Sequence, residues 1–351
     1  KLIKESELIE KKQETLIAQE ENKEKLSEVS TNKEIIKEDK NLINDYFEKN
    51  KIYVINKEIV KKDKETNYVV DVPSNIARLR YFLKVKNKKS ITDQDLEKAV
   101  KEANLRNLPL ILVSNGILTK KAESDIKRMK AGEPLDYVIG FTNFLGCKID
   151  LSKKPLIPRP ETEFLVEKAI NEDLRFKNYD LRILDLFSGS GCIGIAVLKH
   201  IKNSHVTFAD SEKNALEQIK INARINFPDM TDAKRFEFIL SDVFGNILKN
   251  KKFDYIFANP PYIPESRKNK VQKSVLEYEP KEALFGGREG LLYIRKFLAK
   301  AKNFLNPAGK IYMEFDSIQK NKIEKLLKKY RYKNYEFQKD QFGKFRYLSA
   351  K

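Results

Sequence analysis

Beyond Arg159 the chain alternates short apolar runs with amphipathic stretches, and no other feature narrows its possible folds as far. Strands are expected at Arg182–Phe187, His205–Ala209, Phe236–Leu240, Phe253–Ala258 and Lys310–Phe315, with helices over 193–201, 212–226, 291–305 and 317–330. Strands separated by helices of that length pair in parallel by crossing over the faces of a sheet. The expected fold class is therefore α/β, a doubly wound Rossmann-like domain. Such sheets bind ligands beyond the carboxyl ends of their strands, and the chemically suggestive residues fall at those ends.

The first of them lie in the run ILDLFSGSG from Ile183 to Gly191, which takes a strand into a tight glycine turn before a helix. Gly189 and Gly191 let the backbone approach a ligand closely, and Phe187, Ser188 and Ser190 complete the turn. The spacing is GSG rather than GxGxxG. Asp185 stands at the strand end, where a carboxylate can orient a cationic or amino-bearing ligand. That suits a methionine-type tail better than a pyrophosphate. The next strand ends at Asp210, which can accept from two ribose hydroxyls or simply cap the helix after Ser211. The third ends in Ser241, Asp242, Val243 and Phe244, an acidic edge and apolar packing for an adenine ring.

The fourth strand runs directly into Asn259-Pro260-Pro261-Tyr262. Two prolines stiffen the turn and remove two backbone donors, which leaves carbonyls free to accept. The Asn259 side-chain oxygen and the Pro260 carbonyl can then hold both hydrogens of a planar NH₂ group and aim its lone pair at a methyl on a sulfonium. Positioning supplies most of the acceleration, and Tyr262 is expected to stack on the flat acceptor. No strong base is required, because the nitrogen becomes acidic once methylated. A merely rigid loop is the plainer alternative. These residues predict S-adenosylmethionine-dependent methylation of a planar amide or amine nitrogen.

Cys147 and Cys192 have no CxxC spacing, and His200 and His205 form no ligand pattern with them, so no metal site is expected. Both cysteines are expected to be small buried apolar residues. The formal charge of +18 implies attraction to polyanions. RNA, DNA or ribosome proximity accounts for it, and so does a compositional bias toward lysine. No run reaches the roughly 18 apolar residues of a membrane helix, so no membrane partner is expected. The first residues are charged, which predicts a cytoplasmic protein, with an organellar destination open if a presequence preceded Lys1.

Four segments are expected. Residues 1–74 form a lysine- and glutamate-rich extension, helical or disordered, with a small hairpin permitted around 52–56 and 68–72. Residues 75–136 carry apolar residues at helical spacing, such as Ile76, Leu79, Phe82 and then Leu96, Val100, Ala103, and form a helical module. A β-hairpin linker spans 137–160. The catalytic domain is 161–351.

With those residues placed, the chain resembles the glutamine-N5 methyltransferases of the PrmC/HemK family, which modify the GGQ glutamine of peptide chain release factors. The likeness runs from about residue 75 to the end. It is carried by Asn259 to Tyr262, by GEPLDYVIG from Gly132 to Gly140, by IPRPETE from Ile157 to Glu163, by YEPKEALFGGREG from Tyr278 to Gly290, and by KDQFGKFR from Lys339 to Arg346. The resemblance implies S-adenosyl-L-methionine bound by Phe187 to Gly191, Asp210, Val243 and Asn259. It also implies the substrate glutamine held by Asn259 to Tyr262, a release factor gripped by the helical module, and a wall or structural salt bridge involving Arg159 and Glu161. A monomer is expected. Phe187-Ser188 stand where the family usually has Gly-Thr, an aromatic is common at Val243, and the family's Glu-x-Gly segment is here Glu314-Phe-Asp316. DNA adenine-N6 or RNA guanine-N2 methylation is the competing enzymatic function, and it would require a base flipped into the same pocket. A decayed, non-enzymatic nucleic-acid or ribosome-binding module is the third; intact Asp185, Gly189, Gly191, Asp210 and Asn259 to Tyr262 speak against it.

Overall fold

The computed structural model describes residues 43–73, 78–177, 179–228 and 233–351, and the chain divides at Thr119/Lys120 into two compact units.

In the first unit a helix over 43–49 precedes three antiparallel strands, β1 (Tyr53–Lys61), β2 (Glu65–Pro73) and β3 (Arg78–Lys86). Helix α1 (Asp93–Leu105) then returns the chain to β5 (Leu110–Ser114), which pairs parallel to β3. Two short strands, β4 (Ser90–Ile91) and β6 (Ile117–Leu118), pair beside it. This corrects two expectations. Residues 53–73, after the helix over 43–49, form the permitted hairpin rather than a helical or disordered extension, of which residues 1–42 lie outside the described residues, and residues 78–119 are a mixed sheet with one helix rather than a helical module. Leu79 and Phe82 are three apart, as a helix face requires, yet they lie on β3; Ile76 is outside the described residues. The apolar rhythm misleads because two charged residues of β3 point inward. Lys84 is fully buried between Glu65 (2.6 Å) and Glu102 (2.7 Å), and Lys86 meets Asp95 at 2.5 Å. These pairs tie α1 to the sheet, and a buried ion can be held only with its partners in place. Leu96, Val100 and Ala103 do fall on a helix, α1, with Thr92 and Asp95 forming its capping box.

The second unit opens with helices α2 (Lys120–Lys130) and α3 (Leu135–Ile139). The expected hairpin follows as β7 (Phe141–Phe144) and β8 (Cys147–Asp150). Side-chain amides pin this hairpin to α6 (Lys213–Asn226). Asn222 accepts from the Asp150 N–H (2.7 Å), and Asn226 from that of Lys148 (3.1 Å).

A seven-stranded sheet follows, built from β9 (Leu181–Leu186), β10 (Ser204–Asp210), β11 (Phe236–Leu240), β12 (Phe253–Ala258), β13 (Leu305–Glu314), β14 (Tyr335–Lys339) and β15 (Phe345–Ala350). Its order is β11-β10-β9-β12-β13-β15-β14, parallel except for β15, which is antiparallel to both neighbours. Alternate residues of β9 feed different cores, since successive side chains of a strand point to opposite faces. Ile183 packs with residues of α4 (Pro160–Glu172), α5 (Cys192–His200) and α6, while Leu184 and Leu186 pack with α7 (Leu292–Lys300) and α8 (Lys320–Lys329). Both cysteines are buried and free. Leu186 is in register with Ala209 and Ala258. The loops after β9, β10 and β12 therefore emerge side by side at one edge.

Candidate active site

A cavity of about 310 Å³ opens at that edge, walled by the loops after β9, β10, β11 and β12 and by residues 153–159 and 280–283. Its floor is the glycine turn. Gly189 and Gly191 have positive φ (54° and 77°), and a Cβ on Gly189 would meet nothing within 4 Å, so that backbone faces open space. Hydrogen bonds hold the turn. Ser188 Oγ donates to the Asp185 carbonyl (2.6 Å) and accepts the Ala209 N–H (3.0 Å), while the Ser190 carbonyl accepts from Asn222 (2.9 Å).

Asp210 links the first two loops. Its Oδ2 accepts the Gly189 N–H (2.9 Å) and its Oδ1 the Glu212 N–H (3.0 Å), so it braces the turn while lining the cavity. Burial raises its carboxyl above the usual range. Asp185 lies behind the wall rather than on it. Its Oδ2 accepts the Gly194 N–H (3.0 Å), whereas Oδ1 is buried without a partner among the described residues. Burial pushes this carboxyl up to about 8, against the lowering effect of the Gly194 N–H and with Asp210 adding to the rise.

Phe187 and Val243 both line the cavity with positive φ, 61° and 53°. Left-handed backbone is costly for bulky and β-branched side chains, and such strain concentrates at functional sites. Phe187 meets Tyr293 edge-on at 6.0 Å between ring centroids. Tyr293, which the sequence did not single out, completes an aromatic pair on the cavity wall. Asp242 also lines it and pairs with Lys296 (3.0 Å).

Asn259, Pro261 and Thr162 also line the cavity, Asn259 on the strand end next to that of Phe187. Asn259 Nδ2 donates to Thr162 Oγ1 (3.4 Å), and its Oδ1 has no donor among the described residues. The Pro260 carbonyl likewise receives none among them. Pro260 and Tyr262 are not on the cavity wall. The Tyr262 hydroxyl instead donates to Glu314 Oε1 (2.9 Å), and Glu314 Oε2 accepts from Thr162 Oγ1 (2.6 Å). Thr162 and Glu314 were not predicted as site residues; a carboxylate ending the apolar strand β13 was the available signal. Glycines 286 and 290 support the turn from behind. A Cβ on Gly286 would lie 2.4 Å from the Pro261 carbonyl oxygen, and one on Gly290 2.1 Å from that of Tyr262. Arg159 pairs with Glu279 (2.5 Å), not with Glu161, and Glu279 also accepts the Ile157 N–H (3.2 Å), which joins the IPRPETE and YEPKEALFGGREG segments. Among the described residues no carboxylate, histidine and cysteine group could hold a metal ion.

The family model "Methyltransferase small domain" matches residues 161–345, more than half of the chain. The release factor glutamine methyltransferase of Flavobacterium psychrophilum is 36% identical over 230 residues, which cover 65% of this chain and 79% of that protein. That of Leptospira interrogans is 34% identical over 275 residues, 76% of this chain and 93% of that protein. The chain belongs to the release factor glutamine methyltransferase family. A solved structure, the release-factor-specific protein-(glutamine-N5) methyltransferase of Alicyclobacillus acidocaldarius, aligns over 56% of this chain and 93% of its own at 23% identity, with a TM-score of 0.34. The seven-stranded sheet is the class I methyltransferase fold, and the glycine turn and Asn259 stand at the strand ends where that fold carries its site.

Proposed function

We propose that this protein transfers a methyl group from S-adenosylmethionine to the side-chain amide nitrogen of the glutamine in a release factor's GGQ loop, and so supports translation termination. The observation that carries it is the unpaired Asn259 Oδ1 on the cavity wall, oriented by the Nδ2 contact to Thr162 and adjacent to an unpaired Pro260 carbonyl. A side-chain oxygen on the wall and the next residue's carbonyl just behind it, in a turn stiffened by two prolines, match the two hydrogens of one planar NH₂ group.

The residues fit the cofactor. The cavity has a glycine turn facing open space, an aromatic pair, Phe187 and Tyr293, and a carboxylate, Asp210. The aromatic pair suits adenine, and Asp210 a ribose. Asp185 supports this floor from behind by holding the Gly194 N–H, and Asp242 and Val243 flank the adenine side. When bound, the cofactor supplies an electrophilic methyl on a sulfonium. The chain's own part is to bind and orient. Asn259 and Pro260 accept the amide hydrogens, which turns the nitrogen lone pair toward the cofactor end and replaces a bimolecular encounter with a fixed geometry. Tyr262 acts from behind the wall, through its bond to Glu314, rather than by stacking. We place the enzyme in the cytoplasm as a monomer, where a release factor meets the ribosome, and its +18 charge is suited to that polyanionic neighbourhood.

The test is transfer of label from S-adenosylmethionine with a release factor, the same factor with its GGQ glutamine changed to alanine, bulk ribosomal RNA and unmethylated DNA offered in parallel. Label confined to the unaltered factor is the expected outcome; label on either nucleic acid overturns the proposal.

A further inference from the structure

Asn259 can serve as an acceptor only if its amide is turned the right way, and the two ends of an amide differ little in shape. Something must choose between them. Thr162, from the first turn of α4, is 2% exposed and sits between Asn259 and Glu314; Glu314, at the end of β13, is also 2% exposed. The bonds run Tyr262 Oη to Glu314 (2.9 Å), Thr162 Oγ1 to Glu314 (2.6 Å) and Asn259 Nδ2 to Thr162 (3.4 Å). An ionised carboxylate only accepts, and a threonine hydroxyl has a single proton to give.

We propose that Thr162 and Glu314 are positioning residues for methyl transfer. Glu314 accepts the hydrogen bond that the Thr162 hydroxyl can donate, Thr162 then has only lone pairs to offer, and Asn259 must present Nδ2 to it and Oδ1 to the cavity. The inference rests on the amide-holding role of Asn259 proposed above. It assigns a function to Glu314, which is not on the cavity wall, and to Thr162, which is.

The direction of the whole chain of bonds depends on the charge of Glu314. Protonated, Glu314 can donate to Thr162, whose proton then turns to Asn259 and draws Oδ1 away from the acceptor. Burial raises the Glu314 carboxyl; Thr162, Tyr262 and Arg346 oppose that rise, and Glu161 adds to it. The acid limb of kcat is therefore expected above the ordinary carboxylate range.

The experiment compares the wild type with Thr162→Val, Thr162→Ser and Glu314→Gln in three measurements: kcat on a release factor at saturating cofactor across pH, cofactor affinity by calorimetry, and the ¹⁵N relaxation of the Asn259 side-chain amide. Thr162→Val keeps the shape and removes the acceptor. It should lower kcat by about tenfold to a hundredfold, leave cofactor affinity unchanged and loosen the Asn259 amide, whereas Thr162→Ser should restore most of the rate and the rigidity. Glu314→Gln should lower kcat and abolish the acid limb. The inference is overturned if Thr162→Val turns over like the wild type, if its Asn259 amide stays as rigid, or if any loss follows cofactor affinity. Should the wild type leave the release factor unmethylated, the substrate assignment fails, while the relaxation comparison still decides the positioning role.

Discussion

Asn259 concentrates the chemistry at the residue scale. It is a cavity-wall side chain with an acceptor that no donor among the described residues reaches. Asn259→Ala should lower kcat by about 10²–10³-fold, the loss typical of removing one preorganised hydrogen-bonding group from an acyl-transfer site. Cofactor affinity should stay close to wild type, with stopped-flow turnover and calorimetry as the paired readouts. Phe187 makes a different case. Its φ of 61° is natural for glycine, which accounts for the glycine usual there in the family it resembles. Phe187→Gly should relieve about 1 kcal/mol of backbone strain, which the lost packing of the ring and the freer unfolded chain offset, so the melting temperature of the cofactor-free protein should not rise. The same change removes the ring that meets Tyr293, so the affinity for S-adenosylmethionine should fall in a titration.

At the scale of elements, the turn after β12 depends on the segment behind it. Gly290 has φ 70°, and an added Cβ would collide with the Tyr262 carbonyl at 2.1 Å. Gly290→Ala is expected to cost about 3 kcal/mol in urea unfolding. Gly343→Ala is the control, since that glycine has a similar φ of 77° with nothing within 4 Å, and it should cost only about 1 kcal/mol. The parallel strands were legible in sequence because each is a short, mostly apolar run set between amphipathic helical stretches. β9 to β12 fall within a residue or so of their expected limits, and β13 begins earlier. The sheet of the first unit was not legible. The parallel pairing of β3 with β5, 28 residues further on, leaves no local trace, and inward lysines at 84 and 86 break the alternation that marks a strand. In the site, the loops could be read because their residues are contiguous. The Asn259–Thr162–Glu314 chain could not, because its members come from three elements far apart in sequence.

For the whole molecule, buried carboxylates set a pH dependence. Asp185 titrates near 8 when folded and near its ordinary 3.8 when unfolded. Between those values the folded state holds a proton that the unfolded state has lost, so stability falls as pH rises through the window. Asp210 and Glu314 are raised in the same direction. Thermal melts of the cofactor-free protein should therefore show a falling melting temperature from pH 5 to pH 8, and Asp185→Asn should flatten part of that slope. The first unit contributes in the opposite sense. Burial works to raise Asp95, but its bonds to Lys86, Lys88 and Thr92 hold it well below the usual carboxylate range. Its stabilisation is present above the unfolded carboxylate pKa and is lost only in stronger acid. Across these scales one claim is central, that the acceptor is a glutamine side-chain amide. It is tested most directly by incubating a release factor with the enzyme and S-adenosylmethionine and mapping the modified peptide by mass spectrometry. A single methyl on the amide nitrogen of the GGQ glutamine, absent when Asn259→Ala replaces the wild type, is the expected result. An unmodified glutamine, with the methyl found on another residue or on nucleic acid, would contradict it.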